Sequence, residues 1–88
     1  MNYLLLDFAS SFVAERLSAT VFSEAYIELW RIERDNKNTL SYDVNISNCL
    51  SSIFCLADMY NPDKDREEYE FNDDQLRDEI NKLIVNYN

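Results

Sequence analysis

The chain has 88 residues, of which 47% are apolar and 14% aromatic, so it is long enough for one small domain and too apolar for a disordered one. It contains no glycine, no histidine and one proline. This excludes glycine-rich phosphate loops, histidine-ligated zinc sites and histidine-dependent catalytic triads or dyads. The net charge is −9, from 17 acidic and 8 basic residues. A basic protein is therefore a better partner than nucleic acid or an anionic membrane.

The N-terminus and the cysteines indicate the cellular setting. The first residues carry no positive charge and Asp7 interrupts their apolar run, so we predict neither a signal peptide nor a membrane span. Cys49 and Cys55 are six residues apart on a predicted helix, which points them about 240° apart and prevents a bridge. We expect both to be small apolar residues in a reducing compartment, the cytoplasm.

Apolar residues recur with a helical period along nearly the whole chain, which predicts four helices. The first is expected over residues 2–16, with Leu4, Leu5, Phe8 and Phe12 as its apolar positions. Five aromatic side chains are expected to anchor the core: Phe8, Phe12, Phe22, Trp30 and Phe54.

The second predicted helix follows a cap at Ser18 or Thr20 and ends before a polar loop at residues 34–39. The third begins after a cap at Asp43 and ends before Pro62, because the residue preceding a proline is pushed out of the helical region. Its apolar positions alternate steps of four and three, as in a bundle seam: Ile46, Leu50, Ile53, Ala57 and Tyr60.

The fourth predicted helix follows Asn72-Asp73-Asp74, where a polar cap and acidic residues suit a helix N-terminus. Its apolar positions are Leu76, Ile80, Leu83, Ile84 and Tyr87. The predicted fold class is therefore all-α: one domain over residues 1–88, an antiparallel four-helix bundle. A long acidic segment, residues 61–71, joins the third and fourth helices and is called the connector below.

Acidic residues concentrate around this connector. All ten acids of the C-terminal half lie between Asp58 and Glu79, where three basic residues oppose them, for a local charge of −7. The helix dipole favours the four acids at the start of the fourth helix, Asp73, Asp74, Asp78 and Glu79. It does not account for the other acids, five of which we predict to bind a partner together with two tyrosines. The candidate surface is Asp58, Tyr60, Asp63, Asp65, Glu67, Glu68 and Tyr69.

Other chemistry fits these residues poorly. A calcium-binding loop starting at Asp63 would need glycine where Glu68 stands. Paired carboxylates could do acid–base catalysis, but a chain this small has little interior for a concave site, so we expect no enzyme and neither metal nor cofactor. Carboxylates on a rigid scaffold instead repeat the charge of a nucleic-acid backbone and attract a basic, nucleic-acid-cleaving protein. The alternative is an adaptor that binds a partner helix in an apolar groove, its charge serving solubility.

Several residues stand at characteristic spacings: Asn48-Cys49, Phe54, Ala57, Pro62-Asp63, Asp65-Arg66, Tyr69-Glu70, Asp73-Asp74 and Leu76, with Ser18-Ala19 and Phe22-Ser23-Glu24 upstream. At these positions the chain resembles the colicin-like immunity proteins, the family of the immunity protein to colicin D. The resemblance covers nearly the whole chain, is weak over residues 31–47, and is most specific in the run Pro-Asp-x-Asp-Arg of the connector.

The resemblance implies a cytoplasmic antiparallel four-helix bundle that binds the C-terminal domain of a cognate toxin in a 1:1 complex. That domain would be a ribonuclease that cuts tRNA in the anticodon loop, and acidic side chains would cover its basic active site in imitation of tRNA. By position, Asp58 and Asp63 match acids that face the toxin's catalytic residues. Asp65 and Arg66 match connector residues, and we expect Arg66 to brace the loop by pairing with a carboxylate.

This chain departs from the family pattern at several positions. Asp58 replaces a glutamate, Asn61 replaces an acidic residue before the proline, and Glu67 and Glu68 add charge. Because such changes alter which toxin fits, we expect a cognate nuclease other than colicin D. The sequence leaves open whether the toxin is a secreted bacteriocin or is delivered by cell contact, and whether the inhibitor covers the active site or an exosite beside it.

Overall fold

The computed structural model describes residues 3–37 and 42–87. It contains the four predicted helices: α1 Leu4–Val13, α2 Ala19–Asp35, α3 Val44–Asp58 and α4 Asp73–Tyr87. The all-α class is thus confirmed, and the regular elements within the described ranges are all helical. Each of α1 to α3 packs against the next helix in the chain, and α4 also packs against α1. No helix in these ranges has the length and apolar character needed to cross a membrane.

Polar side chains cap the starts of α2 and α3. The hydroxyl of Ser18 accepts a hydrogen bond from the N–H of Val21 at 3.2 Å, and a carboxylate oxygen of Asp43 accepts one from the N–H of Asn45 at 3.1 Å. These bonds satisfy N–H groups that have no partner within the helix. The predicted caps at Ser18 and Asp43 are confirmed.

The first helix is shorter than predicted, ending at Val13 instead of Arg16. The N–H of Arg16 donates to the carbonyl of Ser11 at 3.1 Å, and the N–H of Glu15 donates to that of Phe12 at 2.9 Å. This is the Schellman ending, which places Glu15 in the left-handed region with φ 64°. Glycine usually marks such an ending, so a chain without glycine gives no such signal in its sequence.

The buried face of α1 also differs from the predicted one. Leu5, Ala9 and Phe12 are fully buried, whereas Leu4 is 58% exposed and Phe8 packs only at the edge of the core. Large apolar residues alone therefore did not define this face, because the small Ala9 occupies one of its buried positions. The expected start at Asn2 lies outside the described residues.

The apolar positions predicted for the third helix are confirmed as far as the helix extends. Ile46, Leu50, Ile53 and Ala57 are all buried, while Tyr60 lies beyond the helix end and is half-buried. In α4 the predicted Leu76 and Ile80 are buried, and its later apolar residues are partly exposed. The fully or nearly fully buried apolar residues are Leu5, Ala9, Phe12, Ala19, Phe22, Tyr26, Ile46, Cys49, Leu50, Ile53, Ala57, Leu76 and Ile80.

Tyr26 is the largest of the fully buried side chains. Its hydroxyl donates to the carbonyl oxygen of Leu50 at 2.8 Å, which links α2 to α3. Burial raises the pKa of this phenol far above its ordinary value of 10.0, because the charged form would lose its hydration. Of the five predicted aromatic anchors, Phe12 and Phe22 are fully buried and stack with ring centroids 4.3 Å apart; the others are half-buried.

The two cysteines are free, as predicted, but they differ in environment. Cys49 is buried, and burial raises the pKa of its thiol. Cys55 is exposed, so of the two cysteines only Cys49 packs in the core. Their six-residue separation turns them to different sides of α3, and only one of those sides faces the core.

Candidate functional site

The connector is closed at its base by backbone hydrogen bonds. The N–H of Asn61 donates to the carbonyl oxygen of Phe71 at 2.9 Å, and the N–H of Phe71 donates to that of Met59 at 2.9 Å. Tyr60 and Phe71 thereby form an isolated bridge. These bonds hold the two ends of the connector together, so its acidic residues lie on a closed loop.

Asn61 organises the first half of this loop through its side chain. Its oxygen accepts a hydrogen bond from the N–H of Asp63 at 2.9 Å, the turn that an Asn-Pro-Asp run favours. Its amide nitrogen donates to the carboxylate of Glu70 at 3.2 Å. The same Glu70 oxygen accepts a hydrogen bond from the N–H of Glu67 at 2.9 Å. One carboxylate therefore ties both halves of the connector together.

These contacts stabilise the charged form of Glu70. The backbone N–H of Glu67, then the amide of Asn61 and the positive charge of Arg66, lower the pKa of the Glu70 carboxyl below its ordinary value of 4.5. At neutral pH the group is thus an ionised hydrogen-bond acceptor.

Arg66 braces the loop, but not in the way predicted. Its guanidinium donates to the carbonyl oxygen of Asp63 at 2.9 Å and, more loosely, to that of Asn61 at 3.5 Å. The expected partner was a neighbouring carboxylate. Both hydrogen bonds come from one terminal nitrogen of the guanidinium, and within the described residues no carboxylate lies within 4 Å of Arg66.

The acids of the candidate surface differ in pairing from those of α4. Each of the former is exposed, and within the described residues none lies within 4 Å of a lysine or arginine nitrogen: Asp58, Asp63, Asp65, Glu67 and Glu68. In α4, by contrast, Lys82 lies 3.4 Å from Asp78 and 3.2 Å from Glu79. Arg77 lies 3.7 Å from Asp74. The uncompensated charge is therefore on the connector and the end of α3.

The two tyrosines of the candidate surface have different environments. Tyr69 is 66% exposed, so most of its ring is available to a partner. Tyr60 is half-buried against the core, and its hydroxyl lies 2.9 Å from that of Thr20, within hydrogen-bond distance. Tyr69 can therefore supply new apolar contact area, while Tyr60 already packs between the connector and α2.

Arg77 fastens the start of α4 to the chain between α1 and α2, a role that the sequence did not reveal. Its guanidinium donates to the carbonyls of Phe12 at 2.9 Å and Leu17 at 3.1 Å, and it pairs with Asp73. It also lies 4.4 Å from the centroid of the Phe12 ring. The other oxygen of Asp73 accepts a hydrogen bond from the N–H of Ala19 at 2.8 Å. These contacts fix the start of α4, which is the point where the connector ends.

Comparison with known proteins identifies the family. The sequence model described as bacterial self-protective colicin-like immunity matches residues 1–86. The chain belongs to this family. The resemblance predicted from the sequence is thereby confirmed. A search of curated proteins gives no match.

Colicin-like immunity proteins protect the bacterium that makes them against a toxin, so the family assigns this chain to toxin immunity and implies a cognate toxin as its partner. The sequence did not predict that two residues of the connector, Asn61 and Glu70, stabilise its closed form. The sequence indicates Asn61 only as the loss of a charge, and Glu70 only as one of ten acids and as a residue of the family resemblance. The Asn-Pro-Asp run could have indicated the turn that Asn61 makes. The role of Glu70 has no such local pattern, because it depends on the two halves of the connector coming together.

Proposed function

We propose that this immunity protein neutralises a tRNA-cleaving ribonuclease toxin by covering the basic active site of its nuclease domain. The covering surface consists of Asp58, Tyr60, Asp63, Asp65, Glu67, Glu68 and Tyr69. The proposal rests on one observation above all. The acids of this surface are exposed and lack close cations within the described residues, whereas neighbouring acids of α4 are paired.

The physical basis is competition for a cleft that binds phosphates. A ribonuclease cleft is positive because it must hold a polyanion, and carboxylates spaced along a loop offer it the same charge. Unpaired exposed carboxylates do not first have to give up an internal partner. Long-range attraction then speeds encounter, and close contacts such as the ring of Tyr69 slow dissociation.

The remaining expectations belong to the same proposal. The chain acts in the cytoplasm as one domain, in a 1:1 complex and without catalysis, metal or cofactor. Its four helices alternate in direction as an antiparallel bundle. The alternation is supported by the hydrogen bond of Ala19 at the start of α2 to Asp73 at the start of α4, and by the 5.2 Å contact between the rings of Tyr3 and Tyr42.

Charge reversal tests the proposal. The chain is co-expressed with the nuclease domain encoded beside it, and growth, tRNA cleavage and the Kd of the purified pair are measured. Asp58→Lys and Asp63→Lys should each weaken binding by roughly 2–5 kcal/mol while helix content stays unchanged. The matched control is Asp78→Lys, which reverses an exposed acid that is paired within α4. If the two surface reversals match this control, the proposed surface is wrong.

Competition with tRNA separates the proposal from its alternatives. An inhibitor that covers the active site must be displaced by excess tRNA substrate, whereas an inhibitor bound at an exosite forms a ternary complex with it. An adaptor that binds through an apolar groove would show an association rate nearly independent of salt, because apolar contacts are not screened. A ternary complex with tRNA would overturn the proposal that the active site is covered. An association rate that does not depend on salt would overturn both that proposal and its electrostatic basis.

A further inference from the structure

A groove of about 280 Å³ lies between α2 and the end of α3, beside the connector. Its lining combines apolar residues with two carboxylates, namely Ile27, Ala57, Tyr60 and Pro62 with Glu24 and Asp58. Asp58 already belongs to the proposed toxin-binding surface. Glu24 and Ile27 belong to a different helix, α2, which the sequence did not associate with binding.

The groove has an uncompensated negative charge. Glu24 and Asp58 are both exposed, and no lysine or arginine nitrogen lies within 4 Å of either one in the described part of the chain. The residues that line the groove include no basic side chain. A complementary occupant therefore carries positive charge at the carboxylates.

The size of the groove restricts the occupant further. Its volume of about 280 Å³ lies just below the roughly 300–1,000 Å³ of sites that hold drug-sized ligands. A groove of this size has room for one long side chain of a partner. Lysine and arginine combine an apolar stem with a cationic head, so the stem can lie along Ile27 and Pro62 while the head reaches the carboxylates.

The walls of the groove are held in place before any partner binds. The hydroxyls of Thr20 and Tyr60 lie 2.9 Å apart and connect the two sides. The hydroxyl of Ser23 donates to the carbonyl of Thr20 at 3.3 Å within α2. Ala57, near the end of α3, is buried in the core. A preformed site loses little conformational entropy on binding, which favours an anchoring contact here.

We propose that this groove binds a single lysine or arginine side chain of the toxin, with Glu24 and Asp58 holding its cationic head. The inference rests on the proposed function, since it takes the toxin as the partner. It extends the binding surface from the connector onto α2 and makes Glu24 a residue that determines which toxin fits. A toxin without a basic residue at the matching place would bind more weakly.

The test measures binding of the nuclease domain encoded beside this chain. Glu24→Gln keeps the shape of the side chain and removes its charge, and it should raise the Kd about tenfold because a close charge pair is lost. The control is Glu28→Gln, one turn further along α2, exposed and outside the groove. Its Kd should stay within about twofold of the parent value.

A second measurement identifies the occupant. Glu24→Gln is combined with alanine substitutions at each lysine and arginine of the toxin domain, and the nonadditive part of the change in Kd is determined. One toxin residue should show nonadditivity of roughly fivefold or more, and distant ones none. If Glu24→Gln weakens binding but couples to no single basic residue, the occupant is not one side chain and the inference is wrong.

The outcome also separates this inference from the proposed function. Asp63→Asn is measured in the same assay, since Asp63 lies on the connector and does not line the groove. If Asp63→Asn weakens binding and Glu24→Gln does not, the groove inference is wrong while active-site coverage stands. If neither variant weakens binding, both proposals are wrong.

Discussion

The amide nitrogen of Asn61 donates a hydrogen bond to the carboxylate of Glu70 across the connector, over 3.2 Å. The two residues lie nine positions apart, at opposite ends of the acidic loop. Because Glu70 also accepts the N–H of Glu67, the contact links the turn after α3 to the turn before α4. The loop is therefore held by the amide side chain of Asn61.

An aspartate at this position should loosen the loop. In Asn61→Asp, the donor to Glu70 is lost and two carboxylates face each other, while the acceptor for the N–H of Asp63 remains. We expect the amide of Glu67 to exchange with solvent several-fold faster, measured by NMR hydrogen exchange at neutral pH. The amide of Asp63 serves as the internal control and should keep its protection. Unchanged exchange at Glu67 would show that the Asn61 contact does not hold the loop.

Acid should release the same contact. The hydrogen bonds from Glu67 and Asn61 lower the pKa of Glu70 below 4.5 in the folded chain. Their contribution to stability is therefore present above pH 4.5 and is lost as the pH falls through the lowered pKa. The chemical shift of the Glu67 amide should follow this titration. In Glu70→Gln, which cannot ionise, the shift should not show that step; if it does, another group causes it.

The helix ends show what the sequence could not predict about the fold. Caps at Ser18 and Asp43 were predictable because a short polar side chain before an apolar run has a direct chemical role at a helix start. The end of α2 was predicted to within about two residues from the polar run that follows it. The end of α1 was not, because Glu15 occupies a left-handed position, with φ 64°, where glycine is usual. Glutamate does not signal a helix end.

Glycine at one of these ends should stabilise the chain. A residue with a Cβ in the left-handed region costs about 1 kcal/mol, and Glu15→Gly removes that cost. The free energy of unfolding, measured by urea denaturation, should rise by somewhat under about 1 kcal/mol, because glycine also gains entropy in the unfolded chain. The control Glu28→Gly, in the interior of α2, should lower it by about 1 kcal/mol. A loss at Glu15 as well would contradict the strain argument.

Arg77 should contribute more to stability than its place among surface charges suggests. Its side chain is only 15% exposed and bonds to carbonyls at the end of α1 and before α2. Arg77→Ala should lower the free energy of unfolding by roughly 1–3 kcal/mol, since two partly buried carbonyl acceptors and Asp73 lose their partner. Arg77→Lys should recover only part of the loss, because an ammonium lacks the planar fork. Lys82→Ala, at an exposed pair, is the control with little expected change.

The candidate site could be predicted in outline from charge alone. The acids between Asp58 and Glu79 stand out in the sequence, and the helix dipole separated those of α4 from those of the connector. What stayed hidden depends on distant contacts. Glu24 lies on α2, far from the acidic segment in the chain, and shares a groove with Asp58 only once the helices pack. Residues brought together by tertiary structure leave no local pattern.

Charge and ring contacts should affect different rate constants for toxin binding. Asp63 is exposed and has no close cation within the described residues, so Asp63→Asn should lower the association rate constant and reduce its dependence on salt. Tyr69 is 66% exposed and uncharged, so Tyr69→Ala should leave association nearly unchanged and raise the dissociation rate constant, by about tenfold if the ring is an anchor. Stopped-flow mixing with the nuclease domain at low and physiological salt measures both. Equal effects of the two variants on association would mean that charge does not guide the encounter, because only Asp63→Asn changes the field that the toxin meets at a distance.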